Sequence, residues 1–274
     1  MIPTSFEYER AESADHAIEL LGHYEDAKIL AGGQSLLSLM KQRLAQPEAL
    51  VDISRIDELS YMREDGDHIA IGATTLHEDV HFDPVLTEHC GIVAHAAGEV
   101  GDPQVRHLGT IGGSVSHADP ASDLPCVLRT LDADFVVRGS DGERRVAAAD
   151  FFKSLFETDL GPHEVLTEVR VPKLGGAGWS YQKFHPRAQD WAIVGVAAVA
   201  REGGAAVGLT GMGETPLRAT AVEEALASGS DPAAAAERAS EGTRPVSDPL
   251  GSSEYRKAMA KVFARRALQE ALGS

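Results

Sequence analysis

The chain has 274 residues, is 43% hydrophobic and carries a formal net charge of −17 at pH 7. This length can bury the core of one or two domains, and the acidic balance argues against nucleic-acid binding, which needs a basic face. The sequence contains no apolar run of about eighteen residues and starts without a basic, apolar leader, so we expect a cytoplasmic protein without a transmembrane segment.

The N-terminal part alternates helical and strand patterns. Ser13 precedes an amphipathic stretch that ends near Gly22, as in an N-capped helix. The apolar segment 27–30 predicts a short strand, and the turn after it opens a helix over 35–44. Further strands are predicted at 49–53, 68–72, 134–138 and 164–171, and further helices at 90–99 and 122–130. The alternation predicts an α/β arrangement.

The pattern changes after residue 172, where a glycine-rich segment at 173–179 indicates a linker or hairpin. Strand patterns that lie close enough for an antiparallel meander follow at 179–184, 192–200 and 205–212, and helical patterns follow at 219–227, 232–239 and 253–272. Strands followed by helices indicate a separate α+β domain. We therefore place one domain at 1–173 and a second at 174–274. The predicted fold class is α+β: a two-lobed α/β domain, then a small α+β domain with an antiparallel sheet and helices.

Two segments pair glycines with small polar residues. The first reads A-G-G-Q-S at 31–35, and the second reads T-I-G-G-S at 110–114. Glycine allows close backbone approach and positive φ, and successive N–H groups in such a turn can bind an anion. Neither segment has the glycine spacing of a P-loop or of a Rossmann fingerprint. We predict that both bind one pyrophosphate of a dinucleotide; a tight turn without a ligand is the alternative for each.

The cysteine and histidine content predicts no metal site. Cys90 and Cys126 are the only cysteines and do not form a C-x-x-C pair, whereas an all-cysteine iron–sulfur cluster needs four thiolates. We interpret both as small buried hydrophobic residues. His107 and His117 flank the second glycine segment, and we interpret His117 as a polar loop residue rather than half of a metal-binding pair.

The motifs in order resemble one family. They are A-G-G-Q-S-L-L at 31–37, I-G-A-T-T at 71–75, G-D-P-Q-V-R-H-L-G-T-I-G-G-S at 101–114 and H-A-D-P-A-S-D-L-P at 117–125, and the likeness continues at 179–184, 190–197 and 209–219. This set resembles the FAD-binding medium subunits of molybdenum hydroxylases, with the carbon monoxide dehydrogenase branch closest in pattern and xanthine dehydrogenase more distant. Ser114 and His107 stand where many relatives carry Asn, which blurs the subfamily.

The resemblance implies a PCMH-type FAD-binding domain followed by a C-terminal domain of the carbon monoxide dehydrogenase flavoprotein type. It implies that the glycine segments hold the pyrophosphate, that Asp123 binds FAD hydroxyls, that backbone at Leu166 meets the flavin pyrimidine edge and that Lys183 lies near the ring. From the residues alone, Asp123 would be a helix cap and Lys183 an exposed strand residue. The implied FAD-binding residues are Leu30, Ala31, Gly32, Gly33, Gln34, Ser35, Leu36, Leu37, Ala73, Thr74, Thr110, Ile111, Gly112, Gly113, Ser114, Asp123, Leu166 and Lys183.

Two further residues stay open between alternatives. His77 follows the A-T-T motif, and we consider an approach to the flavin or a role without the ligand. Trp191 is predicted to lie in a strand that is otherwise rich in alanine and valine, and we consider packing on the flavin ring or burial between the domains.

The function implied by the resemblance is that of an oxidoreductase component with no catalytic residue of its own for the organic substrate. This FAD-carrying subunit would pass electrons from iron–sulfur clusters of a partner to an external acceptor. The implied partners are a molybdenum-cofactor large subunit and a [2Fe-2S] small subunit, assembled as a dimer of heterotrimers. A free-standing flavin oxidase or dehydrogenase and a non-redox nucleotide-binding module are the alternatives. Substrate and acceptor stay open because the molybdenum site would lie on another chain.

Overall fold

The computed structural model describes residues 2–273. The chain begins with a small lobe built on a parallel three-stranded sheet of order β1-β3-β2. Its elements are β1 (Glu7–Arg10), α1 (Ala14–His23), β2 (Ala27–Leu30), α2 (Leu36–Gln42) and β3 (Ala49–Asp52). Ser13 caps α1 by accepting a hydrogen bond from the His16 N–H, which confirms the predicted N-cap. The predicted second helix ends at Gln42 instead of residue 44, because Arg43 adopts a left-handed conformation.

The second lobe contains an antiparallel five-stranded sheet of order β4-β5-β10-β6-β7. Helices and strands alternate along the chain as predicted, but alternation does not reveal that these strands pair antiparallel. A two-stranded ribbon, β8-β9, lies apart from the five-stranded sheet. The elements are a 3-10 helix (Asp57–Leu59), β4 (Met62–Asp65), β5 (His68–Gly72), α3 (His77–Phe82), α4 (Pro84–Gly98), α5 (Pro103–Arg106), α6 (Ile111–His117), α7 (Asp123–Thr130), β6 (Asp134–Gly139), β7 (Gly142–Ala147), α8 (Ala148–Phe151), β8 (Phe152–Ser154), β9 (Glu157–Thr158) and β10 (Val165–Pro172).

Two helices of the second lobe differ from the prediction. Helix α4 begins at Pro84 rather than near residue 90, because the Asp83 side chain accepts from the Leu86 N–H and proline is favoured at a first helical position. A kink at Cys90 interrupts it, so the predicted segment is its second half. The glycines of the second segment lie inside α6, where a turn was predicted.

The C-terminal part confirms the predicted antiparallel meander. Its sheet has the order β11-β12-β13-β14, and neighbouring strands are antiparallel. The elements are β11 (Trp179–Phe184), β12 (Val194–Arg201), β13 (Gly204–Thr210), β14 (Leu217–Arg218), α9 (Thr220–Ala227), α10 (Pro232–Ala236) and α11 (Ser253–Leu272). The α+β fold class is thus confirmed.

Both faces of this meander are buried. On one face, Tyr181 and Val199 join the core that contains residues of α4 and α7. On the other, Val196 and Val207 join a core formed with α9, α10 and α11. Successive strand side chains point to opposite faces, so one sheet joins the N-terminal lobes to the C-terminal helices. The division at residue 173 stays a prediction.

The two cysteines, which we interpreted as small hydrophobic core residues, are buried. Cys90 and Cys126 are free thiols without exposure, and burial raises the pKa of each to about 12. Across residues 2–273, we find neither a helix apolar and long enough to cross a membrane nor a group of three or more His, Cys, Asp or Glu side chains suited to a metal ion.

Candidate functional site

The two glycine segments meet in the fold. Gly32 lies in the loop between β2 and α2, and a Cβ added there would fall on the carbonyl oxygen of Leu108 and 2.7 Å from the Cα of Gly109. Gly33 has φ of +69°, a left-handed conformation that glycine adopts at no steric cost. The close approach therefore places the first segment beside the residues that lead into the second, as one ligand for both would require.

The first segment carries the free donors. Its residues are half-buried, and within the described chain the consecutive backbone N–H groups from Gly32 through Leu36 have no hydrogen-bond acceptor. Hydrogen bonds to two carbonyl groups fix the shape of the loop. The Gly33 carbonyl accepts from the Leu37 N–H at 3.1 Å, and the Gly32 carbonyl accepts from the side-chain amide of Gln34 at 3.3 Å. Such a row of N–H groups is an anion-binding concavity, so these residues fit a pyrophosphate.

The second segment differs from the expectation, because its N–H groups from Ile111 through Ser114 are already paired. Ile111 donates to the Thr75 carbonyl at 3.0 Å and Gly112 to the Ala73 carbonyl at 2.9 Å. The next two N–H groups in α6 donate to Thr110, through its side chain and its carbonyl. This segment therefore offers the half-buried Ser114 hydroxyl and the exposed face of Gly113 to a ligand, rather than a second row of N–H donors.

Ala73 lies directly against the second segment, and the buried residues Thr74 and Leu166 lie close to Ala73. Ala73 and Thr74 are buried just after β5, and a Cβ added to Gly112 would lie 2.6 Å from the Cβ and the carbonyl oxygen of Ala73. The Ala73 N–H donates to the Thr167 carbonyl, next to buried Leu166. Because β5 pairs with β10 only from Glu168 onward, the backbone of Leu166 has no β5 neighbour. Ala73 thus supports α6 directly.

His77 is a buried histidine beside both glycine segments. Its side chain is 2% exposed, its Nε2 lies 3.1 Å from the Ser114 hydroxyl, and its Nδ1 has no hydrogen-bond partner in the described residues. Burial, with a smaller contribution from the charge of Arg106, lowers its pKa to about 4. The imidazole is therefore neutral at pH 7.

This pKa predicts a pH-dependent contribution to stability. Because the folded value lies below the ordinary value of 6.5, the unfolded chain binds a proton between pH 6.5 and 4 that the folded chain does not, so the contribution is complete above pH 6.5 and declines as the pH falls. Between pH 7.5 and 4.5, we expect the unfolding free energy of the wild type to fall by about 2–3 kcal/mol more than that of His77→Leu. Urea unfolding at both pH values measures this, and His23→Gln at an exposed helix end is the control. Equal losses in wild type and His77→Leu would contradict the prediction.

Asp123 and Lys183 form a buried ion pair with each other. Their side chains are 5% and 3% exposed, and the Lys183 ammonium lies 2.9 Å from one Asp123 oxygen. The Tyr181 hydroxyl donates to the other oxygen at 2.6 Å, and the Lys183 ammonium also donates to the Glu99 carbonyl at 2.8 Å. Burial raises the pKa of Asp123, and the Lys183 charge opposes this rise. The pair links α7 and the end of α4 to β11.

This geometry changes two interpretations made from the residues alone. The Asp123 side chain does not cap α7, since Ser122 holds the N-cap position. Lys183 is buried, not exposed. Tyr181 is a partner that the sequence reasoning missed, although strand alternation already puts Tyr181 and Lys183 on one face. Among the polar contacts of residues 2–273, none joins the pair to either glycine segment.

The remaining aromatic and histidine candidates lie outside these clusters. Trp191 is 51% exposed in the loop before β12, so burial between the domains is wrong. His107 is exposed and its Nδ1 contacts the Pro103 carbonyl. His117 lies beside Asp119 and packs on Phe156 at the β8–β9 turn.

Comparison with known proteins gives two family matches that follow each other along the chain. Residues 4–174 match the family described as the FAD binding domain in molybdopterin dehydrogenase. Residues 179–271 match the CO dehydrogenase flavoprotein C-terminal domain. The carbon monoxide dehydrogenase medium chain of Hydrogenophaga pseudoflava is 40% identical, covering 99% of this chain and 98% of the relative. The glyceraldehyde dehydrogenase medium chain of Sulfolobus acidocaldarius is 37% identical, covering 98% and 99%.

A solved structure shows the same similarity in three dimensions. A chain of the Hydrogenophaga pseudoflava carbon monoxide dehydrogenase that lacks the Mo-pyranopterin moiety superposes with a TM-score of 0.96 at 41% identity. The match covers 100% of this chain and 99% of that chain. The two glycine segments and the buried interdomain pair therefore lie in a fold shared over the whole length with that protein.

Proposed function

The chain belongs to the family of FAD-binding medium subunits of molybdenum hydroxylases, and from this membership we propose that it is the electron-transfer subunit of such a complex. In this role it takes electrons from iron–sulfur clusters of a partner and passes them to an external acceptor. When bound, FAD supplies reversible redox chemistry in one- and two-electron steps. The chain itself is an FAD-binding component of an oxidoreductase.

The row of unpaired N–H groups at 32–36, held against the entry to α6 by Gly32, carries this proposal. Phosphate oxygens satisfy such donors, and the half-buried Ser114 hydroxyl of the second segment adds to them. We therefore propose that residues 30–37 and 110–114 hold the pyrophosphate, while Ala73, Thr74 and Leu166 form the wall beneath. Contact of FAD with the side chain of Asp123 or Lys183 requires that the residues covering this buried pair move when FAD binds.

The partners follow from the same family membership. Two relatives are named as medium chains of dehydrogenases, for carbon monoxide and for glyceraldehyde, so a large molybdenum-cofactor subunit and a [2Fe-2S] small subunit are the proposed partners. A dimer of heterotrimers is the proposed assembly, in a cytoplasmic location. Because the relatives differ in their named substrates, we propose that the large subunit sets the substrate of the complex and that related medium subunits serve different chemistries.

The decisive experiment uses the full chain purified alone. We expect an absorbance band at about 450 nm from bound FAD, and dithionite should bleach that band completely. With an artificial acceptor, the chain alone should not turn over carbon monoxide, aldehydes or purines. Reconstitution with the proposed large and small subunits should then restore flavin reduction by substrate. A band without turnover, followed by turnover in the complex, is the signature of an incomplete enzyme.

Each alternative has its own outcome in this experiment. A chain that binds no FAD, even after incubation with an excess, would leave the non-redox nucleotide-binding module. Robust turnover of an organic substrate by the lone chain would instead establish the free-standing oxidase or dehydrogenase. Either result would overturn the proposed role.

A further inference from the structure

His77 connects the two ends of the second glycine segment. Its backbone N–H donates to the Gly109 carbonyl at 2.9 Å, just before the segment, and its Nε2 lies 3.1 Å from the Ser114 hydroxyl at the segment's end. Its ring packs so closely on Gly109 that an added Cβ there would lie 2.9 Å from the His77 Cδ2. Gly109 in turn contacts Gly32 of the first segment. One side chain therefore spans from the contact between the segments to the Ser114 hydroxyl.

Because His77 is buried, the state of its second ring nitrogen, Nδ1, affects the folding free energy. Nδ1 has no partner within residues 2–273, and an unpaired polar atom in a buried position costs folding free energy. The charge of Arg106 acts on the His77 ring, but the Arg106 guanidinium is held by Glu78 at 2.9 Å and donates to the Gly98 carbonyl. An apolar side chain would avoid this cost. The contact that a histidine adds over an apolar side chain of similar size is the one to Ser114.

We propose that His77 is a positioning residue for FAD binding, which orients the Ser114 hydroxyl toward the ligand and fixes the second glycine segment against the first. This positioning role requires the tautomer in which the neutral ring donates its Nε2–H to the Ser114 oxygen, because the Ser114 O–H is then free to donate to a phosphate oxygen. The inference rests on the proposed function, because it assumes that FAD binds at these segments. It goes beyond that function by assigning part of the FAD affinity to His77, which is buried behind the proposed site.

The test compares FAD dissociation constants of the full-length apo-protein by flavin fluorescence titration, with thermal unfolding of each variant alongside. His77→Leu is expected to weaken FAD binding about three- to tenfold, the effect of one hydrogen bond, without lowering the melting temperature. His77→Gln retains a donor near the Nε2 position and should bind FAD within about twofold of wild type. Ser114→Ala should weaken binding to the same extent as His77→Leu. The double variant His77→Leu/Ser114→Ala should be no weaker than Ser114→Ala.

The outcomes separate this inference from the proposed function. If wild type binds no FAD, the proposed function fails. If wild type binds FAD and Ser114→Ala binds it equally well, the inference is overturned, whether or not His77→Leu folds. Independent effects that multiply in the double variant would also overturn it, because His77 would then act by some route other than Ser114.

Discussion

Replacing Lys183 by methionine is expected to lower the free energy of unfolding by about 3–5 kcal/mol at pH 7, the cost of leaving a buried charge without its partner. The Asp123 carboxylate would keep only the Tyr181 hydroxyl as a donor, in a position where it is 5% exposed. The Glu99 carbonyl would lose its donor as well. Urea unfolding followed by circular dichroism measures the change.

A matched control is available in the same protein. Lys173 forms an ion pair with Glu64 at 2.7 Å, but their side chains are 23% and 52% exposed. Lys173→Met should therefore cost no more than about 1 kcal/mol, as is usual for solvated pairs. Adding Asp123→Asn to Lys183→Met should recover part of the loss, because no unpaired charge then remains. Equal costs for the two lysine variants would show that the buried pair is not a principal link between the domains.

The same pair shows where sequence reasoning ends. Alternation places Tyr181 and Lys183 on one face of β11, and this could be predicted. Whether that face is exposed depends on α4 and α7, and the partner of Lys183 lies 60 residues away at Asp123. A lysine in a short strand suggests exposure, because lysine is seldom fully buried unless paired. Only the tertiary contact reveals the pairing.

The two glycine segments were predictable to different degrees. The first is local: a strand, a turn with positive φ at Gly33 and a helix follow directly from the residues. The second was interpreted as a turn because paired glycines allow positive φ and close backbone approach. Gly112 is nevertheless helical, because α6 packs on the backbone of Ala73, and this close approach excludes a side chain. A long-range contact explains this glycine better than its local conformation does.

Three strands that the sequence did not reveal lie at sheet edges, although the edge strands β2 and β11 were predicted. β1, β4 and β7 each lie at the end of a sheet and are rich in charged residues. Edge strands commonly carry charges, which discourage pairing with other chains. Their sequences therefore lack the apolar alternation that identified β5, β6 and β10, and their pairing depends on the central strands already being in place.

The second large effect on stability is expected at Gly112, the first of two adjacent glycines in α6. Gly112→Ala is expected to lower the free energy of unfolding by about 3 kcal/mol, at the upper end for overpacking, because its Cβ would lie 2.6 Å from the Cβ and the carbonyl oxygen of Ala73. Replacing Gly112 therefore tests the fold, and loss of FAD from such a variant would not locate the phosphate. Chemical unfolding of the apo-protein measures the effect.

Gly113 is the matched position that tests the ligand. It is exposed, and an added Cβ would meet only the Thr110 side-chain oxygen, at 2.8 Å. Gly113→Ala should change the unfolding free energy by no more than about 1 kcal/mol, since better helix propensity offsets a weakened cap. Gly113→Val places a branched side chain on the exposed face and should weaken FAD binding while the apo-protein stays folded. If Gly113→Val binds FAD as tightly as wild type, the pyrophosphate does not lie over this face of α6. If Gly112→Ala is as stable as wild type, the helix and Ala73 have room to separate.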